Sequence, residues 1–491
     1  MIAALVLIPA LAGLAAFFLR STEWRRTLLV ATAAAQAALT AACWWLRPQP
    51  VLHGWLALDA PGLLFLSITS ALFLAAAIYA AGYLRCESGH RVTDEEEGFL
   101  FDNAPEATFV GCLMVFLSAM TLVTVSQHFG LLWIAIEATT LASAPLIYFH
   151  RHHRSLEATW KYLLICSVGI ALALLANFFL GVSAAKPGGS APALVLGELV
   201  QQAGRLQTTW LKAAFILFLV GYGTKMGLAP LHTWLPDAHS ESPSVISALL
   251  SGALLNCAFL GIVRVQQVCV AAGQAAFGQD MLVGLGLISM AVAAVFILGQ
   301  TDYKRLLAYS SVEHMGILAL GVGLGGAGAF GAMLHAVNHS LTKAMLFFVA
   351  GNILALYQTK TIGQVRGVLR VTPVTGMLWL GGFLAITGTP PFGPFLSEFT
   401  ILKAAFDQGH GWVGGLYLVL LALIFIGMAT AFLGMAQGQP QKAPGVADRG
   451  DRWWETGPPA VLGALVLLLG LYIPQNLAFV LHEISRTLGG S

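Results

Sequence analysis

Gly221-Tyr-Gly-Thr-Lys-Met-Gly-Leu-Ala-Pro230 interrupts an apolar run that begins at Leu211, and it sets three glycines and a proline around a lysine, Lys225. Glycine loosens a helix, and proline removes a backbone donor and clashes with the preceding turn. The backbone groups freed in this way are tolerated at membrane depth only where they line a cavity or are buried in protein. The stretch therefore reads as a broken membrane helix facing a polar interior. Thr387-Gly-Thr-Pro-Pro-Phe-Gly-Pro394 repeats the punctuation just before Glu398. Roughly five apolar runs lie between the two breaks, so equivalent helices would have opposite topology, the arrangement of an inverted-repeat transporter.

The rest of the chain fits this reading. It has 491 residues, of which 57% are hydrophobic and 10% charged, whereas soluble domains carry about 25% charged residues. The bilayer must be its solvent. Apolar runs of about 17–25 residues or longer recur from Ile2–Leu19 to Ala460–Tyr472 and number roughly fourteen. The expected fold is all-α and polytopic, with about fourteen transmembrane helices in two inverted five-helix repeats and two broken helices. The expected divisions are N-terminal transmembrane helices over 1–107, a first antiporter-like repeat over 108–270, a second over 271–436, and a C-terminal loop and helix over 437–491. Ile2–Leu19 lacks a basic start and is read as a retained helix rather than a signal peptide.

Lys and Arg in the connections set the orientation, because basic loops stay in the cytoplasm. One alternate set of loops, with Arg20, Arg25, Arg26, Arg85, Arg91, Arg151, Arg154, Lys304, Arg305, Lys360, Arg366, Arg370, Lys442, Arg449 and Arg452, holds about 15 against about 5 in the other. Both termini should then face outside, with the acidic stretch Asp94–Glu97 on the inner side. The expected location is the plasma membrane of a prokaryote. The six cysteines contain no C-x-x-C pair, so neither an iron–sulfur cluster nor a zinc site is expected in this chain. A net charge of +2 gives no reason to expect nucleic acid.

Charges inside the apolar runs carry the functional signal: Glu137, Lys161, Lys225, His232, Glu313, His314, His335, His339, Lys343 and Glu398. Each costs at least about 2.5–3.5 kcal/mol to bury, so each needs a partner or a water-filled path. One alone would more often be structural. Ten of one chemical kind, all able to gain and lose protons and with almost no arginine at membrane depth, point to proton transfer. His335, His339 and Lys343 fall at i, i+4 and i+8 on one helical face. With no H-E-x-x-H pattern and no third ligand evident, a metal site is the weaker reading beside a proton relay or a hydrogen-bonded stripe. Gly321-Val-Gly-Leu-Gly-Gly326 matches G-x-G-x-x-G by letter, but no strand precedes it, and it reads as close helix packing. The cluster His150-Arg-His-His-Arg154 reads as an interfacial anchor. Asp237, His239 and Glu241 either cap the following helix or collect protons.

Lys225-Met-Gly-Leu-Ala-Pro-Leu-His-Thr-Trp-Leu-Pro-Asp-Ala-His239, His335-Ala-Val-Asn-His-Ser-Leu-Thr-Lys343 and Pro390-Pro-Phe-Gly-Pro-Phe-Leu-Ser-Glu-Phe399 resemble the signatures of the antiporter-like subunits of complex I, Mrp antiporters and membrane-bound hydrogenases. The resemblance runs from about Phe109 to Ala405. Ile136-Glu-Ala-Thr-Thr-Leu-Ala-Ser143 and Ser310-Ser-Val-Glu-His-Met-Gly316 look closest to hydrogenase-4 component F and formate-hydrogenlyase-type subunits. The resemblance makes Glu137 and Lys225 the charges of the fifth helix and the first broken helix, and Glu398 that of the second. It departs at Asn256, where many relatives carry a central lysine.

The implied function is a non-catalytic, proton-translocating membrane subunit of an oxidoreductase complex of hydrogenase or NADH:quinone oxidoreductase type. Glu137 and Lys225 would form a switchable ion pair, with protons passing by His232, His335, His339 and Lys343 towards Glu398. No cofactor is expected in this chain; iron–sulfur clusters and nickel are expected in partner subunits. A sodium/proton antiporter or an inorganic-carbon uptake subunit is the rival transport reading. An electron-transfer enzyme is the rival from another class, and it would need a cofactor site.

Overall fold

The computed structural model describes residues 1–87, 92–93, 100–185, 193–440 and 450–489. Arg91, Asp94–Glu97, Lys442 and Arg449, which entered the orientation argument, lie outside these residues, as does the side chain of Cys86. Apart from two antiparallel two-residue strands, β1 (Val92–Thr93) and β2 (Leu100–Phe101), the regular structure among the described residues is helical.

Helices α1 (Ile2–Phe18), α2 (Thr22–Cys43) and α3 (Ala60–Glu87) open the chain. Then come α4 (Glu106–Val125), α5 (Phe129–Ile147), α6 (His153–Ala184), the short α7 (Leu196–Gln201) and α8 (Thr208–Met226). After the first break follow α9 (Trp234–Glu241), α10 (Ser244–Leu249), α11 (Leu255–Ala271), α12 (Ala275–Leu298), α13 (Tyr303–Leu324) and α14 (Gly326–Tyr357). The last six are α15 (Val368–Val371), α16 (Pro373–Ile386), α17 (Gly393–Asp407), α18 (Gly411–Ala436), α19 (Trp453–Leu471) and α20 (Gln475–Thr487).

Eleven helices among the described residues are long and apolar enough to cross a membrane, counting α10 and α11 as one. The other three expected runs fall short for physical reasons. Helix α1 has 17 residues. The run 211–231 stops at Met226, because Gly227 turns the chain with φ +86° in a conformation that L side chains rarely adopt, and the 19-residue α8 that remains carries Lys212 and Lys225, which make it less apolar than the other spans. The run 377–403 divides into α16 and α17 around Gly388, with φ +61°, and the prolines Pro390 and Pro391. A Cβ at Gly388 would collide with the Glu398 carboxylate, so glycine lets that carboxylate lie against the broken backbone.

Starts and stops follow side-chain chemistry. His128 Nδ1 accepts from the N–H groups of Gly130 and Leu131 at the head of α5. Asp302 Oδ1 accepts from those of Lys304 and Arg305 at the head of α13, at 2.7 and 3.1 Å. Helices α11 and α13 have their apolar spans wholly buried within the chain, while α6, α12 and α18 present Leu164, Val168, Val295 and Ile426 outward. A helix that is apolar all round belongs inside, and the polar face of such a bundle must turn inward too. The 32-residue α14 packs against α13, α16, α17 and α19, and α8 against α6 and α11. Between α10 and α11 the helix widens into one π turn, Leu250–Leu254, where Gly252 lies against the backbone of Ser340. Such turns recur at functional sites.

Candidate functional site

Lys225 lies in the last turn of α8 at the first break, completely buried. Its Nζ donates to Thr140 Oγ1 at 2.6 Å and to Tyr162 OH at 2.7 Å, and it lies 4.5 Å from the centre of the Tyr162 ring. Thr140 donates onward to Glu137 Oε2 at 3.2 Å, and Ser167 donates to Glu137 Oε1 at 3.0 Å. Ser143 Oγ donates to the Thr139 carbonyl at 2.7 Å, so Tyr162 OH, 2.7 Å from Ser143, is the donor to it and keeps an oxygen lone pair for Lys225. Glu137 and Lys225 thus communicate through the Thr140 hydroxyl. No direct ion pair joins them among the described residues, in contrast to the pair expected from sequence.

A second polar cluster gathers on α13, α14 and α17. His314 Nδ1 and His335 Nε2 lie 2.9 Å apart, and His335 Nδ1 is 2.9 Å from Ser397 Oγ. The rings of His314 and His339 stand 4.9 Å apart, and those of His335 and His339 6.4 Å. Glu398 follows Ser397 on α17; its Oε1 is buried without a hydrogen-bond partner among the described residues. Glu313 Oε2 is 4.0 Å from His314 Nε2. Lys343 Nζ donates to the Leu307 carbonyl at 2.7 Å. One end of the π turn leads here, through Ser251 and Ser311, whose hydroxyls meet at 2.8 Å. Asn256 donates to Gly252 O and to Ser340 Oγ, at 2.8 and 2.7 Å, so it ties the π turn to α14.

The remaining sequence candidates fall elsewhere. Lys161 is 45% exposed and pairs with Glu157 at 2.7 Å and Asp237 at 3.0 Å, an ion-pair cluster apart from the buried ones. Asp237 also holds Arg305 at 2.9 Å. His232 packs edge-on against Phe296 and Tyr309 in the segment after the break. His239 stacks on Phe347 at 5.3 Å. Glu241 pairs with Lys360 at 2.7 Å and stands 3.7 Å from His152. Burial pulls the Glu241 carboxyl upward, but the charge and hydrogen bond of Lys360 together with His152 and Arg154 outweigh it and hold it at about 2.

Sequence reasoning missed the hydroxyls that join the charges: Thr140, Ser167, Tyr162 and Ser397. It named His314 among the buried charges without giving it a partner. It also missed Arg264 in α11. That guanidinium is fully buried and clamps Asp59 with Nη1 to Oδ2 at 2.8 Å and Nη2 to Oδ1 at 3.0 Å. Gln127 Oε1 accepts from Nη1 at 3.3 Å. The signal was present, since an arginine in an apolar run needs a carboxylate, and Asp59 opens α3.

The family described as NADH:quinone oxidoreductase/Mrp antiporter, transmembrane, matches residues 126–425. A hydrogenase-4 component F homolog of Methylacidiphilum infernorum is 38% identical over 376 residues, 76% of this chain and 75% of that protein. A chain of an archaeal membrane-bound sulfane sulfur reductase superposes with a TM-score of 0.84 at 19% identity, covering 100% of this chain and 98% of that one. A chain of respiratory complex I from Thermus thermophilus superposes with a TM-score of 0.82 at 24% identity, covering 100% of both chains. At these identities the two structures share the fold.

Proposed function

The chain belongs to the NADH:quinone oxidoreductase/Mrp antiporter membrane family, and from that premise we propose that it is the proton-translocating, antiporter-like subunit of a multisubunit redox complex of hydrogenase-4 type. The observation that carries this is the buried hydroxyl bridge from Lys225 through Thr140 to Glu137. When Lys225 passes a proton to Thr140 Oγ1, Thr140 passes its own to Glu137, and the amine is left neutral. Thr140 ends the step as it began. From Lys225 the relay continues across the π turn to Lys343, the three histidines and Glu398.

Fourteen crossings follow if α1, α8 and the α16–α17 pair span as well, with the two breaks as equivalent points of inverted repeats over 108–270 and 271–436. Both termini then face outside the plasma membrane; reporter fusions reading the Arg366 loop outside the cell would reverse this.

Glu137 is half-buried beside the outward-facing Ile134, Leu141 and Leu164. A carboxylate on such a face has no water in lipid, and a neighbouring membrane subunit covering it would remove the contact with lipid. Moving one charge against 100 mV costs about 2.3 kcal/mol. The energy would come from partner subunits with iron–sulfur clusters and nickel, this chain holding no redox cofactor of its own. Native purification of the tagged chain tests the reading. Recovery of hydrogenase subunits is the expected result, and a stable chain exchanging sodium for protons alone would contradict it.

A further inference from the structure

We propose that His314, His335 and Glu398 form a binding site for a transition-metal dication, with Zn2+ as the ion it fits. One ligand atom from each lies within 4.8 Å of the others, all three residues are buried, and they come from three different helices. The sequence offered two histidines of α14 on one face, His335 and His339, and no third ligand. Folding replaces that pair with His335 and a histidine of α13, and α17 adds the carboxylate. Two imidazoles and one carboxylate, with a fourth position for water, is the ligand set of an open zinc site.

The tautomers suit it. Ser397 Oγ donates to the Pro394 carbonyl at 2.9 Å, so it accepts from His335 Nδ1–H at 2.9 Å. His335 Nε2 then carries the lone pair, aimed at His314 Nδ1 only 2.9 Å away. Two nitrogens bound to tetrahedral zinc at about 2.0–2.1 Å stand roughly 3.3 Å apart, so the rings need part by only a few tenths of an ångström. Binding displaces the His314 Nδ1 proton, and His314 becomes the Nε2–H tautomer. That nitrogen has no hydrogen-bond partner among the described residues and stands 4.0 Å from Glu313 Oε2, which is placed to orient it. Glu398 Oε1, buried and unpartnered, is a free ligand atom. The two carboxylates, Glu398 bound and Glu313 behind His314, neutralise the dication, which burial demands. The ion would pin α13, α14 and α17 together. If protons use these side chains, as the proposed function holds, zinc would also stop them.

Zinc content tests the site without reference to transport. Intact complex carrying the wild-type chain, His335→Ala or Glu398→Gln is stripped by a chelator, dialysed against zinc chloride, and its zinc counted by mass spectrometry. Metal in partner subunits cancels in the difference. The expected result is one more zinc per complex in the wild type than in either variant, with two imidazoles in the X-ray absorption difference. Ser397→Ala should keep the stoichiometry and weaken affinity about 10–100-fold. If His335→Ala fails to assemble, His314→Gln takes its place. Equal zinc in wild type and variants, or a difference without imidazole, overturns the site. Bound zinc with translocation unchanged would support the site and contradict the relay through it.

Discussion

Lys225 and Glu137 are joined by one hydroxyl: the lysine donates to Thr140 Oγ1 at 2.6 Å, and Thr140, three residues after Glu137 on α5, donates to the carboxylate at 3.2 Å. The i, i+3 spacing puts hydroxyl and carboxylate on one helical face. The glycine-rich end of α8 brings the amine against that face, where Gly221 meets Gly169 and Ala173 of α6 at close range. A bridge of this kind separates the charges while leaving a path for a proton between them.

Thr140 is therefore the residue to change first. Thr140→Val keeps the shape and removes the hydroxyl, leaving Lys225 held by Tyr162 alone. Assembled complex should translocate protons at least about tenfold more slowly, since a lost buried hydrogen bond to a charged group is worth about 1.5–3 kcal/mol. Thr140→Ser should restore most of the rate. Equal rates for valine and serine would remove Thr140 from the path.

The Asp59–Arg264 clamp predicts a stability effect. Arg264→Met leaves Asp59 without its bidentate partner, and Asp59→Asn leaves a buried guanidinium without its counter-charge; breaking such a pair from one side costs about 3–5 kcal/mol. The double substitution should recover much of that loss. Thermal unfolding of the detergent-solubilised protein reads it, and single variants as stable as the wild type would contradict it.

Glu241 gives a pH dependence with a definite sign. Its folded-state pKa, about 2, lies below its ordinary value of 4.5, because Lys360, His152 and Arg154 together outweigh the effect of burial. The stabilisation is fully present above the ordinary value and is lost as pH falls from about 5 towards 2. Melting temperatures in detergent should drop over that window in the wild type and drop less in Glu241→Gln. Parallel curves would show that other carboxylates dominate.

The breaks were legible in the sequence because glycine and proline act on their own backbone. The charges were legible because burying them is costly wherever they sit. The hydroxyls were not: serine and threonine in membrane helices ordinarily bond the preceding turn, as Thr224 does to Val220 O, so Thr140 and Ser397 looked like the rest. Lys161 appeared buried because it follows an apolar count, yet it lies near the start of α6 on the outward side, beside Glu157. Arg264 was hidden by the average of the run around it. Which charge meets which was beyond reach, since His314 and His335 are 21 residues apart on different helices and only packing sets their rings together.

In the proposed relay Lys225 is the group that loads and releases protons. Lys225→Met keeps much of the apolar stem and removes the amine, and Lys225→Arg keeps a charge that does not leave. The measurement is the number of protons translocated per electron by assembled complex in sealed vesicles, with assembly checked separately. The methionine variant is expected to assemble and lose translocation or coupled turnover, and arginine to recover little. Normal proton-to-electron stoichiometry in assembled Lys225→Met complex would contradict it and leave Lys225 a structural charge.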